Sequence, residues 1–189
     1  MIMMDITSAI EAYRPFNEQE ERDKAVILDY LRKNPDAFSR TNLIAHMTAS
    51  AWVVNGQRDR VLMVYPRIYD SWSWTGGHAD GDEDLARVAL REVREETGVK
   101  SARLVSDEIY SLEVLTVDGH EKNGKYVPSH LHLNVTYLIE ADETDSLAVC
   151  EEENSGVRWF NPEGALAAST EPWFVQRIYR KLNDRLKTI

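Results

Sequence analysis

Between Gly77 and Val99 the chain reads GHADGDEDLARVALREVREETGV. Leu85, Val88, Ala89 and Val93 recur at helical spacing, so the pattern predicts a helix from about Glu83 to Thr97. Asp82 or Asp80 is placed to cap it, and Gly98 to stop it in the left-handed conformation that a helix end favours. Gly76 and Gly77 precede it and can bring the backbone close to a neighbouring group. A helix with one apolar stripe needs a layer to pack on, and the rest of the chain supplies candidate strands.

Those strands punctuate the sequence. TASAWVV and RVLMVYP flank Asn55-Gly56 and read as a hairpin, with a loop longer than two residues allowed. SWSWTGG reads as a short strand ending at the paired glycines. Arg103 to Val117 is mostly extended, and DGHEKNGKYVPSH reads as a polar loop. HLHLNVTYLIEA alternates, with Leu131, Leu133, Val135, Tyr137 and Ile139 on one face. VRWF is a further short strand, with a small helix beginning at Asn161-Pro162. Two more helices bracket the whole. One runs from Asn17, an N-cap, to the stop at Asn34-Pro35, with Ala25, Ile27, Leu28, Tyr30 and Leu31 as its stripe. The other closes the chain in EPWFVQRIYRKLNDRLK. Mixed helices and strands give an α/β or α+β class, a mixed sheet covered by helices. We divide the chain into an N-terminal helical extension, 1–40, and a main domain, 41–189.

The polar side of the Gly77–Val99 helix is unusual. Glu92, Glu95 and Glu96 stand at i, i+3 and i+4 and share a face, and each like-charged pair at that spacing costs roughly 0.2–0.5 kcal/mol. They also crowd the C-terminal turns, where the helix dipole disfavours anions. A divalent cation such as Mg²⁺ bound among them offsets both penalties. The competing reading is an ordinary solvated face, with Arg91 and Arg94 as partial counter-charges. A calcium loop starting at Asp80 fails, because its sixth and twelfth positions are Leu85 and Arg91 rather than glycine and an acid.

The spacing of these residues resembles the Nudix box, G-x5-E-x7-R-E-U-x-E-E-x-G-U with U aliphatic. Gly77, Glu83, Arg91, Glu92, Val93, Glu95, Glu96, Gly98 and Val99 fill every defined position. The resemblance implies an α/β/α sandwich with a mixed sheet, in which the box forms a loop–helix–loop. It implies a pyrophosphohydrolase that cleaves a small-molecule diphosphate, a nucleoside diphosphate derivative or related organic pyrophosphate, with Mg²⁺ or Mn²⁺. By similarity Glu92, Glu95 and Glu96 hold metal, joined by the carbonyl of Gly76. One of the three, with Glu92 the first candidate, serves instead as general base; Arg91 orients the glutamates and Glu83 pairs with Arg91. Such a metal neutralises the diphosphate and lowers the pKa of a bound water. Some members recruit a further glutamate before a strand carrying Trp. Here Glu151, Glu152 and Glu153 precede Trp159, and Glu153 or Glu152 is the candidate. Thr75 departs from the proline common before the paired glycines.

His78 after the glycines and His130-Leu131-His132 opening a strand resemble one Nudix subgroup that carries an added N-terminal helical segment. His130 and His132 share a face, where they contact substrate phosphate or a metal, or form a buried hydrogen-bonded pair. Trp74, which shares a face with Trp72, is a candidate for stacking on a base, against a packing role. Tyr126 is a candidate for the pocket rim.

Two other functions compete with hydrolysis. An isoprenoid diphosphate isomerase shares the fold but usually has a modified box and a catalytic cysteine, whereas Cys150, the only cysteine here, lies in an acidic loop. A non-catalytic ligand sensor tends to lose box glutamates, and all are present. The single cysteine excludes an intrachain disulfide. A net charge of −10 argues against non-specific binding to nucleic acid or to anionic membranes. No apolar run reaches the length of a membrane span, and the start meets Asp5 and Glu11 too early for a signal peptide. The expected location is cytoplasmic, with a homodimer as a candidate assembly through the N-terminal helix.

Overall fold

The computed structural model describes residues 5–122 and 124–189. Two helices come first, α1 (Ile6–Ala12) and α2 (Glu18–Lys33). The strands are β1 (Ala45–Val54), β2 (Val61–Pro66), β3 (Thr75–His78), β4 (Arg103–Leu104), β5 (Ser111–Val117), β6 (His120–Lys122), β7 (Lys125–Val127), β8 (His130–Glu140) and β9 (Asn154–Phe160). The box helix is α3 (Leu85–Thr97), and α4 (Pro162–Ala168) follows β9. The chain closes with α5 (Pro172–Phe174), a π-helical turn at Val175–Tyr179 and α6 (Arg180–Leu186).

The sheet is mixed. β1 and β8 run parallel at its centre, paired from Ala45↔Leu131 to Val54↔Glu140. The other edge of β1 is shared by β3, antiparallel at Thr48↔His78 to Ala51↔Thr75, and by the start of β2. β9 lies outside β2, while β5 and β4 take the outer edge of β8.

Alternation sorts the side chains of β1 and β8 onto two faces. Met47, Ala49, Ala51, Val53, Leu133, Val135, Tyr137 and Ile139 join Leu85, Val88, Ala89 and Val93 of α3 in one core. Ile6, Ile10, Ile27 and Leu28 of α1 and α2 belong to the same core. On the opposite face Trp52, Trp74 and Leu138 pack against Ile178, Tyr179 and Leu182 of the C-terminal helix, with Trp52 stacked on Tyr179 at 5.4 Å.

Four local expectations are revised. Ala25 is exposed, so the buried side of α2 is Glu20, Ile27 and Leu28. α3 is capped by Asp84, whose side chain accepts from the Arg87 amide; Asp82 instead takes the Asp84 N–H and the Arg87 guanidinium. The segment expected as a polar loop contains the antiparallel pair β6–β7, because His120, Glu121 and Lys122 find register partners in Val127, Tyr126 and Lys125. The strand at SWSWTGG begins only at Thr75 and runs through both glycines.

The sheet also buries charge. Lys181 of α6 lies 3.0 Å from Glu113 of β5 and 3.1 Å from Glu20 of α2, and both carboxylates are fully buried. Burial pushes the Glu20 carboxyl up, but the ammonium of Lys181 and hydrogen bonds from Phe16, Tyr13 and Ser111 outweigh it and hold it low. Glu113 is also bonded by Asn134 and Thr136, at 2.9 and 2.8 Å. This knot ties α2, the sheet and α6 together.

Candidate active site

The close approach of β3 to α3 sets the site. Paired residues in β3 and β1 point to the same face, so Gly76 opposes Ser50 on one side and Gly77 faces α3 on the other. A Cβ at Gly76 would stand 2.6 Å from Ser50 Oγ, and one at Gly77 would stand 2.5 Å from the carboxyl carbon of Glu92. At Gly76 a Cβ would also meet the Ala49 carbonyl of β1 at 2.7 Å, whereas at Gly77 only the Glu92 carboxylate stands in the way, in the space the glycine leaves open.

Glu96 is the most enclosed acid of the three. It is 6% exposed. Its Oε1 accepts the Gly76 N–H at 2.9 Å, and its Oε2 accepts the Asn154 amide at 3.1 Å. Burial pushes the Glu96 carboxyl up to about 7 despite these bonds, and the charges of Glu92 and Glu153 push the same way. Burial also raises Glu92, against the Arg91 guanidinium that donates to its Oε1 at 2.9 Å. Glu95 is exposed on the next turn, close enough that its charge adds to the rise at Glu92.

Glu153 comes from the loop before β9. Its carbonyl accepts the Arg67 N–H at 3.0 Å, and its carboxylate acts on both Glu92 and Glu96. Glu151 and Glu152 are exposed in the same turn. Glu92 and Glu96 thus lie against the paired glycines where β3 packs on the end of α3, and the charge of Glu153, from the loop before β9, acts on both. Asn154, 1% exposed, has its Oδ1 buried without a partner beside Glu96. An all-oxygen set with an orphaned buried acceptor suits a hard divalent cation such as Mg²⁺ or Mn²⁺.

The other candidates divide. Glu83 is exposed before α3, and among the described residues the ion pair of Arg91 is with Glu92, not Glu83. Trp74 is buried edge-on against Phe174 and Tyr179 in the second core. Tyr126 is 70% exposed on β7. His78, His130 and His132 gather on the face of the sheet opposite α3, around a fourth imidazole, His46 of β1. Burial pushes the His132 imidazole down to about 2 and that of His78 to about 4.

His46, Arg40 and Asn154 carry no motif and escape sequence reading. His46 joins the other histidines only because the parallel register sets it opposite His132. Arg40 binds Asp80 through Nε at 2.6 Å. Its charge reaches the Glu92–Glu153 side and the histidine side alike.

The NUDIX domain family model matches residues 45–182. A human protein, nucleoside diphosphate-linked moiety X motif 6, is 30% identical over 84 residues, 43% of this chain and 26% of its own length. Nudix hydrolase 27 (chloroplastic) of Arabidopsis thaliana is 50% identical over 40 residues, 21% of this chain and 18% of its own. A CMP-5'-(N-acetyl-N-hydroxy-3-aminopropyl)phosphonate hydrolase of Streptomyces rubellomurinus is 43% identical over 56 residues, 28% of this chain and 27% of its own. The matches thus span about a quarter or less of these relatives. The structure of a C. elegans Ap4A hydrolase binary complex superposes with a TM-score of 0.56 at 19% identity, covering 76% of this chain and 98% of that one. That likeness concerns the fold.

Proposed function

The chain belongs to the Nudix family, and from that membership we propose that it is a Mg²⁺- or Mn²⁺-dependent hydrolase of a small-molecule diphosphate linkage. The observation that supports this best is the seating of Glu92 and Glu96 against the paired glycines, with the charges of Glu95 and Glu153 acting on Glu92. It includes an acid, Glu96, buried so deeply that its carboxyl rises to about 7. Desolvating an acid among other acids is costly unless a cation compensates it.

Glu95 and Glu96, with Glu92 and the Gly76 carbonyl, would hold the metal. When bound, the metal neutralises the diphosphate and acidifies a water. Glu92 is the candidate base: it accepts a proton from the attacking water as the water oxygen bonds to phosphorus and the bridging P–O bond breaks. Arg91, hydrogen-bonded to Glu92, fixes the direction of that carboxylate. Asn154 and the Gly76 N–H fix Glu96. Glu153, at the loop edge, completes the set from outside the box.

The experiment is a substrate panel with Mg²⁺ or Mn²⁺: ADP-ribose, diadenosine polyphosphates, nucleotide sugars, NADH, nucleoside triphosphates and isopentenyl diphosphate. Hydrolysis of at least one nucleotide, abolished by Glu95→Gln and by Glu96→Gln, supports the proposal. Turnover of the isoprenoid alone would make the chain an isomerase. Binding without turnover across the panel would make it a sensor.

A further inference from the structure

The four histidines stand apart from the box carboxylates. They occupy the face of the sheet opposite α3, at one end of β1, β3 and β8. The ring of His46 lies 4.8 Å from that of His130, 5.1 Å from His132 and 5.1 Å from His78; His78 and His132 are 5.0 Å apart. One ring nitrogen from each of His46, His130 and His132 lies within 4.8 Å of the others.

The tautomers follow from the backbone. His46 Nδ1 faces the Asn42 carbonyl at 2.9 Å, and His130 Nδ1 faces the Pro128 carbonyl at 2.8 Å. A carbonyl only accepts, so both Nδ1 atoms carry the proton and both Nε2 atoms present a lone pair. His46 Nε2 is buried without a partner, in a residue only 3% exposed. His130 Nε2 meets His132 Nε2 at 3.2 Å. His132 therefore donates its Nε2–H to His130, and His46 Nε2 alone is left without a partner; imidazoles oriented by carbonyls at Nδ1 are the usual arrangement of histidine metal ligands, and His132 joins them once its proton moves to Nδ1.

We propose that His46, His130 and His132 form a second cation site through their ring nitrogens, selective for a borderline divalent transition ion of the Zn²⁺ class, with His78 beside its fourth position. Zn–N bonds of about 2.0–2.1 Å in tetrahedral geometry place ligand nitrogens about 3.3 Å apart. The His130–His132 separation already matches that value, and the remaining separations close by at most roughly 1.5 Å, from 4.8 to about 3.3 Å. The donor set differs in kind from the carboxylates: imidazole favours Zn²⁺, Co²⁺ or Ni²⁺ where oxygen favours Mg²⁺ or Mn²⁺. Arg40, whose charge acts on His46, His78 and His132, is paired with Asp80. The site does not depend on the hydrolytic reading, since neither its ligands nor its metal is shared.

The test uses the full chain, stripped of metal and held in excess Mg²⁺ to fill the carboxylates, with Co²⁺ as a spectroscopic probe. One equivalent of Co²⁺ should bind with visible ligand-field bands, and Zn²⁺ should displace it. The bands should persist in Glu95→Gln, and affinity should fall at least about tenfold in His132→Gln. Featureless binding, or bands lost in Glu95→Gln and kept in His132→Gln, would overturn the site. X-ray absorption on the zinc-loaded wild type decides the matter even if the histidine variant does not fold. Two or more imidazoles per zinc support the site, and one or none refutes it.

Discussion

Gly77 and Glu92 fit together as a gap and its filling: a β-carbon on Gly77 would stand 2.5 Å from the carboxyl carbon of Glu92. Gly77→Ala must therefore push the Glu92 carboxylate out of place, since that flexible end is what the new carbon meets. We expect kcat to fall by about a hundredfold or more, as for a misplaced catalytic group, with stability changed by less than about 1 kcal/mol. Parallel kinetics and urea denaturation check this. A variant with wild-type turnover would show that Glu92 has no fixed role.

Glu96 should make the metal-free protein less stable as pH rises. Its carboxyl is raised to about 7 in the folded state, against an ordinary value of 4.5. Between those values the folded state holds a proton that the unfolded state has released, so stability declines from about pH 4.5 to pH 7 and levels off above. A shift of that size corresponds to about 3 kcal/mol. Glu96→Gln removes this dependence, so in EDTA it should melt higher than wild type at pH 8 and close to it at pH 4.5. Equal melting temperatures at pH 8 would mean that Glu96 is ionised and well compensated without metal.

Much of this arrangement was legible in the residues. The box helix, its apolar stripe and its glycine stop follow from local rules, because spacing and left-handed backbone are short-range properties. The faces of β8 follow from alternation, with Leu133 inward toward α3 and His130 and His132 on the far side. What stayed hidden depends on register. Nothing near His46 marks it as the partner of His132, and nothing in EQEERD marks Glu20 as a fully buried acid 3.1 Å from a lysine 161 positions later. The family pattern implies a pairing of Glu83 with Arg91, whereas among the described residues Arg91 holds Glu92.

Glu153 separates from its neighbours by position. It leads directly into Asn154, which holds Glu96, and its charge acts on Glu92, Glu96 and Arg40. Glu153→Gln should lower kcat by about tenfold or more, and Glu152→Gln should leave it near wild type. Because all three side chains are exposed, both variants should stay within about 0.5 kcal/mol of wild-type stability. A larger effect from Glu152→Gln would move the role one residue along the loop.

Lys181 should matter for folding rather than for chemistry. It is the ammonium facing Glu20 and Glu113, both fully buried, and Gln19 shares it at 3.0 Å. Lys181→Met leaves two carboxylates without that counter-charge, and removing one partner of a buried ion pair costs about 3–5 kcal/mol. Arg185 remains 3.8 Å from Glu20, so the loss falls mainly on Glu113, where Asn134 and Thr136 supply hydrogen bonds but no charge. Adding Glu113→Gln to Lys181→Met should recover part of the loss, since the amide keeps the volume and removes one buried charge. Urea midpoints for the single and double variants measure the coupling. A double variant less stable than Lys181→Met alone would show that Glu113 contributes mainly through its bonds to Asn134 and Thr136, not through the ion pair.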